Sequence, residues 1–207
     1  MEILAKLLGS EAKVKIIRLF LFNINTPYDI ADICERAKVT KVEAKREITT
    51  LERIGLVKKR AFTKDEVTSH SKKTIIKKVR THGWVLDDKF PYLMALRNLL
   101  ITVSLHKHED LPYRFAHAGR VKLLVVSGVF IQDWESRVDL LIVGDNLKKT
   151  SIDNAVKTLE SEIGRELRYS VFETADFEYR LGIYDKLIRD ILDFPHKKVV
   201  DKLGKDL

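Results

Sequence analysis

The segment TKVEAKREITTLERIGLVKK, Thr40 to Lys59, carries a helix start, a helix stop and the opening of a strand. Thr40 can cap a helix through its hydroxyl, and Glu43 three residues on completes a capping box. Ala44, Ile48, Leu51 and Ile54 recur at helical spacing and are expected to face a core. Gly55 is the expected C-terminal stop. Leu56 to Phe62 then changes to a basic strand pattern, so a helix of about three turns runs into a strand at Gly55.

Two further helices are predicted before Thr40. Val14, Ile17 and Leu21 share one face, with Ser10 as N-cap. Asn23 to Pro27 breaks that pattern, and a second helix follows from about Tyr28 to Ala37, with Ile30, Ile33, Cys34 and Ala37 on one side. Only Lys38 and Val39 separate it from the helix capped by Thr40, which is helix-turn-helix spacing. Burial of Ala44, Ile48 and Leu51 leaves Thr40, Lys41, Lys45, Arg46 and Thr49 on the outward side. A helix that reads the major groove needs such a surface, with donors near its N-terminus.

After Gly55 a strand is expected over residues 56–62, a polar turn over 63–71 and a returning strand over 74–80. Between Val57 and Arg80 stand nine basic residues, Lys58, Lys59, Arg60, Lys64, Lys72, Lys73, Lys77, Lys78 and Arg80, against only Asp65 and Glu66. A basic hairpin directly after such a helix reads as a wing that reaches phosphates or the minor groove. All of these cations except Lys64 join the expected DNA contacts. Thr40 to Lys59 resembles the recognition helix and first wing strand of winged-helix transcription regulators. In those families the helix ends in a leucine, a glycine, and then Leu-Val before a basic strand. The resemblance covers about residues 8–88 and departs at Lys38, where a glycine often makes the turn.

Charge divides the chain. Residues 1–88 hold 19 Lys and Arg against 12 Asp and Glu; residues 89–207 hold 19 against 18. The whole carries a net +8, and nearly all of it lies in the first part, which points to a polyanionic partner there. The single cysteine, Cys34, excludes an intrachain disulfide. No uncharged apolar run approaches the ~20 residues of a membrane span, and the N-terminus lacks a secretory pattern, so a cytoplasmic protein without membrane association is expected.

The organisation expected is a DNA-binding region over 1–88, a linker helix within 89–108 whose apolar pattern runs from Phe90 to Val103, and an α/β region over 109–207. Strands are expected at 121–126, 137–143 and 167–172. An amphipathic helix runs through Ile152, Ala155, Val156, Leu159 and Ile163 and stops at Gly164. A helical region follows through Phe177, Leu181, Leu187, Ile188 and Ile191, then a short strand at 197–201. His106 and His108 stand in a charged stretch with no further ligand nearby, so no metal and no cofactor is expected.

Three stretches of this second part, Val126 to Phe130, Ser136 to Asp145 and Gly164 to Val171, resemble a minimal nucleotidyltransferase domain over about residues 109–203. In that family a Gly-Ser loop holds nucleotide phosphates and two acids one residue apart on the next strand hold divalent ions. Side chains two apart on a strand lie ~7 Å from each other on one face, which suits two carboxylates over a triphosphate. Here Ser127 and Gly128 stand in reverse order, Arg137 replaces the first acid and Asp139 alone matches the second. Tyr169 and Ser170 stand where a third acid belongs. A guanidinium at position 137 is expected to pair with Asp139 and displace a metal.

The overall expectation is an α/β (α+β) chain: a winged helix-turn-helix joined to a degenerate nucleotidyltransferase-like domain. Its expected function is DNA-binding transcriptional regulation. The second part would serve as a homodimerisation module, or bind a nucleotide or small-anion effector at Ser127, Gly128, Arg137 and Asp139. The competing readings are an active nucleotidyltransferase acting on nucleic acid or a partner protein, and an unspecific nucleic-acid adaptor.

Overall fold

The computed structural model describes residues 3–70, 73–102 and 110–204, with mixed α/β content. The chain divides into two compact units: Met1–Leu100 with Ser161–Arg165, and Ile101–Glu160 with Glu166–Leu207. Among the described residues no helix is long and apolar enough to cross a membrane.

In the first unit, α1 (Ile3–Leu8) and α2 (Glu11–Phe22) precede α3 (Ile30–Ala37) and α4 (Lys41–Arg53). Ser10 caps α2 by accepting from the Lys13 N–H, and Thr40 and Glu43 form the expected capping box on α4. A second capping box, Asp29 with Asp32, starts α3. The turn between α3 and α4 places Lys38 in the left-handed region at φ 49°, a conformation glycine adopts without strain. Gly55, at φ 82°, ends α4 as expected. Val14, Ile17, Leu21, Ile33, Ala44, Ile48, Leu51 and Leu56 are buried. Ile54 is 52% exposed, against expectation, because it is the C-cap residue and lies beyond the helical stripe. Within this unit Arg18 of α2 is buried and donates to the carbonyls of Leu100 and Glu162.

The hairpin is longer than its sequence suggests. β1 (Val57–His70) and β2 (Lys73–Leu86) pair antiparallel from Val57–Leu86 to His70–Lys73. The residues expected to form a polar turn from Thr63 are therefore mostly strand. Alternating polar and charged side chains mimic a turn in sequence, yet they suit a ribbon that is solvated on both faces. At ~3.4 Å per residue the ribbon extends about 45 Å. Near its base Tyr28 forms a bridge to Trp84, adding a short third strand segment beside β2. A Cβ at Gly83 would strike the Tyr28 carbonyl, so this close approach requires glycine.

The single helix expected from Phe90 to Val103 is instead α5 (Leu93–Arg97) continued by a π-helical turn over Asn98–Thr102, with Phe90 in the turn before it. The segment His106 to Glu109 lies outside the described residues.

The second unit opens with α6 (Leu111–Arg114). It then has β3 (Arg120–Val126), β4 (Leu140–Asp145), α7 (Lys149–Ile163), β5 (Tyr169–Glu173), α8 (Thr174–Gly182), α9 (Lys186–Leu192) and β6 (Lys197–Asp201). The region read as one helix after Phe172 is thus two, broken at Tyr184, whose φ is 56°. The sheet order is β5-β4-β3-β6, with β4–β5 parallel and the other pairs antiparallel. Leu123, Val125, Leu141 and Val143 pack with Phe177, Ile188 and Ile191 of α8 and α9.

Lys38→Gly removes a left-handed strain of about 1 kcal/mol. The variant is expected to raise the urea midpoint without changing the m-value, and a lowered midpoint would show that the turn is held by the Lys38 side chain instead.

Candidate nucleic-acid interface and the second-unit acid cluster

On α4 the side chains of Lys41, Lys45, Arg46 and Thr49 are all exposed, as their spacing requires. Thr40 is committed to capping, its hydroxyl bonded to Glu43. Arg46 donates twice to Glu47, a carboxylate left only 3% exposed that also pairs with Lys13 of α2. The Thr49 hydroxyl donates back to the Lys45 carbonyl. Lys41 and Lys45 have no ion-pair partner among the described residues and stand one turn apart. Val42 beside them is 78% exposed, an apolar side chain on an otherwise polar surface.

The hairpin cations fall into two groups. Lys58 pairs with Asp87 and Asp88, and Lys59 pairs with Glu52 of α4. Lys64 reaches Asp29 at 2.6 Å and Asp32 at 3.0 Å. Arg60, Lys77, Lys78 and Arg80 are exposed and form no ion pair among the described residues. Lys72 lies outside the described residues, and of Lys73 only the backbone, in β2, is described.

Alternation sorts the unpaired cations by face. Lys59 and Trp84 are cross-strand partners, and both reach Glu52, so their face of the ribbon looks toward α4. Lys78, Arg80 and His82 lie on that same face by register. Arg60 and Lys77 lie on the other. A groove of about 780 Å³ opens between α3, the start of α4 and β2, with Lys41, His82 and Trp84 among its lining.

Lys64 explains how the ribbon is held. Each of Asp29 and Asp32 uses one oxygen for the capping box of α3 and turns the other to the Lys64 ammonium. For Asp29, burial acts to raise the carboxyl, but the Lys64 hydrogen bond and the backbone N–H of Asp32 outweigh it, and the net shift is downward. Lys64 is shifted up, first by its hydrogen bond to Asp29. Neither partner was identifiable in the sequence, because the contacts join residues more than thirty positions apart.

The acid cluster of the second unit differs from expectation in its pairing. Arg137 does not meet Asp139. It lies 2.9 Å from Asp190 of α9, in ionic contact but outside hydrogen-bond geometry, while Asp139 faces Arg168 at 3.5 Å. The reason is local backbone: residues 137–139 precede β4 rather than lying on it, so strand alternation does not bring 137 and 139 to one face. Asp139 is fully buried. It accepts from the backbone N–H groups of Val129 and Arg168, each at 2.9 Å, and its own N–H and C=O bond to Arg168 and Ser127. Gly128 sits at φ 56°, where a Cβ would strike the Asp139 carboxylate. The Ser127 hydroxyl is buried and donates to the Val138 carbonyl. These four residues are close together except Arg137, and they form a clamp between the loop after β3 and the start of β5. Among the described residues no cluster of His, Cys, Asp and Glu is arranged to hold a metal ion.

Comparison with known proteins yields no relative: no protein-family model, no curated protein and no solved structure matches the chain.

Two predictions follow from these geometries. Lys64→Met should cost ~1 kcal/mol near neutral pH. The Asp29 contribution is complete above the ordinary aspartate range and is lost as pH falls through its depressed folded value. The Lys64 contribution is complete below the ordinary lysine range and is lost as pH rises through its elevated one. Urea titrations of wild type and variant should therefore converge in strong acid; a gap that persists there refutes the anchor. Second, Asp139→Asn keeps one oxygen as an acceptor but sets its NH2 against the other buried N–H donor, and should cost about 3 kcal/mol. Magnesium at millimolar concentration should leave the wild-type melting temperature unchanged, and a magnesium-dependent rise lost in Asp139→Asn would identify a metal ligand.

Proposed function

We propose that α2 to α4 and the hairpin act as a winged helix-turn-helix that binds double-stranded DNA, with α4 as the recognition helix and the hairpin as its wing. The chain would then be a cytoplasmic transcriptional regulator acting as a homodimer. The observation that carries this reading is the distribution of unpaired cations. Lys41 and Lys45 on α4, and Lys78 and Arg80 on the ribbon face that looks toward α4, form no ion pair among the described residues. Fixed internal ion pairs hold Lys58, Lys59 and Lys64, so these three act in positioning the wing rather than in phosphate contact.

The second unit is read as a nucleotidyltransferase-like fold without transfer chemistry. This rests on Asp139, each of whose buried carboxylate oxygens accepts a backbone N–H, and on Arg137, which is drawn to Asp190. Ser127 is likewise engaged, which leaves that loop poorly furnished for a nucleotide or small-anion effector. Dimerisation is the use better supported.

Binding to a random-sequence duplex, measured against salt, tests the DNA reading. Log affinity should fall linearly with log salt, and Lys78→Glu with Arg80→Glu should reduce the slope by about 2, one per phosphate contact. Arg60→Glu with Lys77→Glu, on the opposite face, should change it by less. Affinity that is independent of salt would refute the reading. Substitution of Lys45 separates a regulator from an unspecific adaptor: the regulator loses discrimination among sequences, whereas the adaptor weakens uniformly.

A further inference from the structure

The sheet of the second unit ends in two different edges. β6 carries Lys197 and Lys198, and its register against β3 shifts at Val199, so it has both the charge and the bulge that discourage further pairing. β5 has neither. Tyr169-Ser170-Val171-Phe172-Glu173 pairs with β4 in unbroken register and contains no proline and no lysine or arginine. Its residues are half-buried or exposed throughout, with Val171 at 36%, whereas its neighbour β4 is buried over its first five.

The direction of the free backbone groups can be read from the parallel ladder. The Arg168 carbonyl accepts from Leu140 on β4, so residues 168, 170 and 172 turn their backbone groups inward. Tyr169 and Val171 then turn theirs outward, and those groups have no partner among the described residues. We propose that β5 is the interface for a second copy of this chain, joined antiparallel across a two-fold axis at Val171 to give one sheet continuous through both copies. The proposal names the surface for the homodimer that the DNA reading invokes.

The pattern is self-complementary. With the axis at Val171, the residues whose backbone groups point outward meet one another: Val171 faces Val171 of the second copy, and Tyr169 faces its Glu173. These are hydrogen-bonded pairs of an antiparallel ladder, and an isologous contact requires such symmetry. An axis at Ser170 or Phe172 would pair only two outward residues of the strand, Tyr169 with Val171 or Val171 with Glu173, against all three for an axis at Val171. Tyr169 is held in place by its hydroxyl, which donates to Asp153 of α7, so the exposed side chains on this face are ordered before association. A five-residue edge is small beside the ~1,000 Å² of a stable interface, so a dissociation constant in the micromolar range is expected in the absence of DNA.

Full-length protein without DNA tests this, independently of whether it binds DNA. Sedimentation equilibrium across about 1–200 μM should show a monomer–dimer equilibrium in that range. Val171→Lys, which opposes two ammonium groups across the axis, should weaken association at least tenfold. Val171→Pro should do the same while keeping the fold, because the lost N–H faces outward. In a Cys34→Ser background, Val171→Cys should form an intermolecular disulfide under mild oxidation, since Cα atoms in such a pair stand ~5.5 Å apart. Val199→Cys on β6 should not. A monomer at every concentration, or a dimer unaffected by Val171→Lys and unlinked through Val171→Cys, overturns the proposal.

Discussion

One ammonium group on two carboxylates fixes the geometry of the first unit. A ribbon of this length has no core of its own and would swing about its base unless something holds it. Lys64, seven residues along β1, is bound by Asp29 and Asp32, and these two acids also start α3. Helix initiation and ribbon placement are therefore one arrangement: each carboxylate gives one oxygen to the backbone and one to Lys64. The bridge between Tyr28 and Trp84 and the bond from the Trp84 indole to Glu52 hold the base of the same ribbon. What projects beyond these ties is determined by them. Lys58, Lys59 and Lys64 pair with neighbouring acids, while Arg60, Lys77, Lys78 and Arg80 are exposed and form no ion pair among the described residues.

Local chemistry was legible in the sequence, and long-range pairing was not. The capping residues Ser10, Thr40 and Glu43 act within four positions of themselves, so their roles follow from spacing alone. The left-handed turn at Lys38 was visible as a missing glycine. Outward placement of Lys41, Lys45, Arg46 and Thr49 followed from the burial of Ala44, Ile48 and Leu51, because a helix has a fixed period. By contrast, nothing near Lys64 distinguishes it from Lys58, although one ties the ribbon to α3 and the other meets the turn after β2. The strand character of Thr63 to His70 was hidden because the segment Thr-Lys-Asp-Glu-Val-Thr-Ser-His shows no hydrophobic alternation. Arg137 and Asp139 read as neighbours on a strand, but β4 begins only at Leu140, three residues after Arg137.

The second unit shows how a charge is held at zero exposure. An isolated carboxylate at zero exposure is costly unless donors surround it. Asp139 has the backbone N–H of Val129 on one oxygen and of Arg168 on the other, with the Arg168 side chain nearby. Each oxygen already accepts a backbone N–H, and neither is open to solvent. Gly128 belongs to the same arrangement, since any larger residue would push into the carboxylate. A glycine and an aspartate that resemble a phosphate loop and a metal ligand in sequence thus serve together as a clamp. The resemblance brought Ser127, Gly128 and Asp139 together but paired Asp139 with Arg137, whereas its partners are Val129 and Arg168.

The same reasoning separates the two ends of the sheet. Lysines in the terminal strand have an evident use at β6, where they and the register shift at Val199 discourage an approaching strand. At β5 that protection is missing, although the strand is flat, regular and partly apolar. An open edge tends to recruit any extended segment, and its outward groups at Tyr169 and Val171 are spaced to accept an antiparallel partner. Symmetry is then the economical way to close it, because two copies of one edge satisfy each other and leave no further edge to propagate.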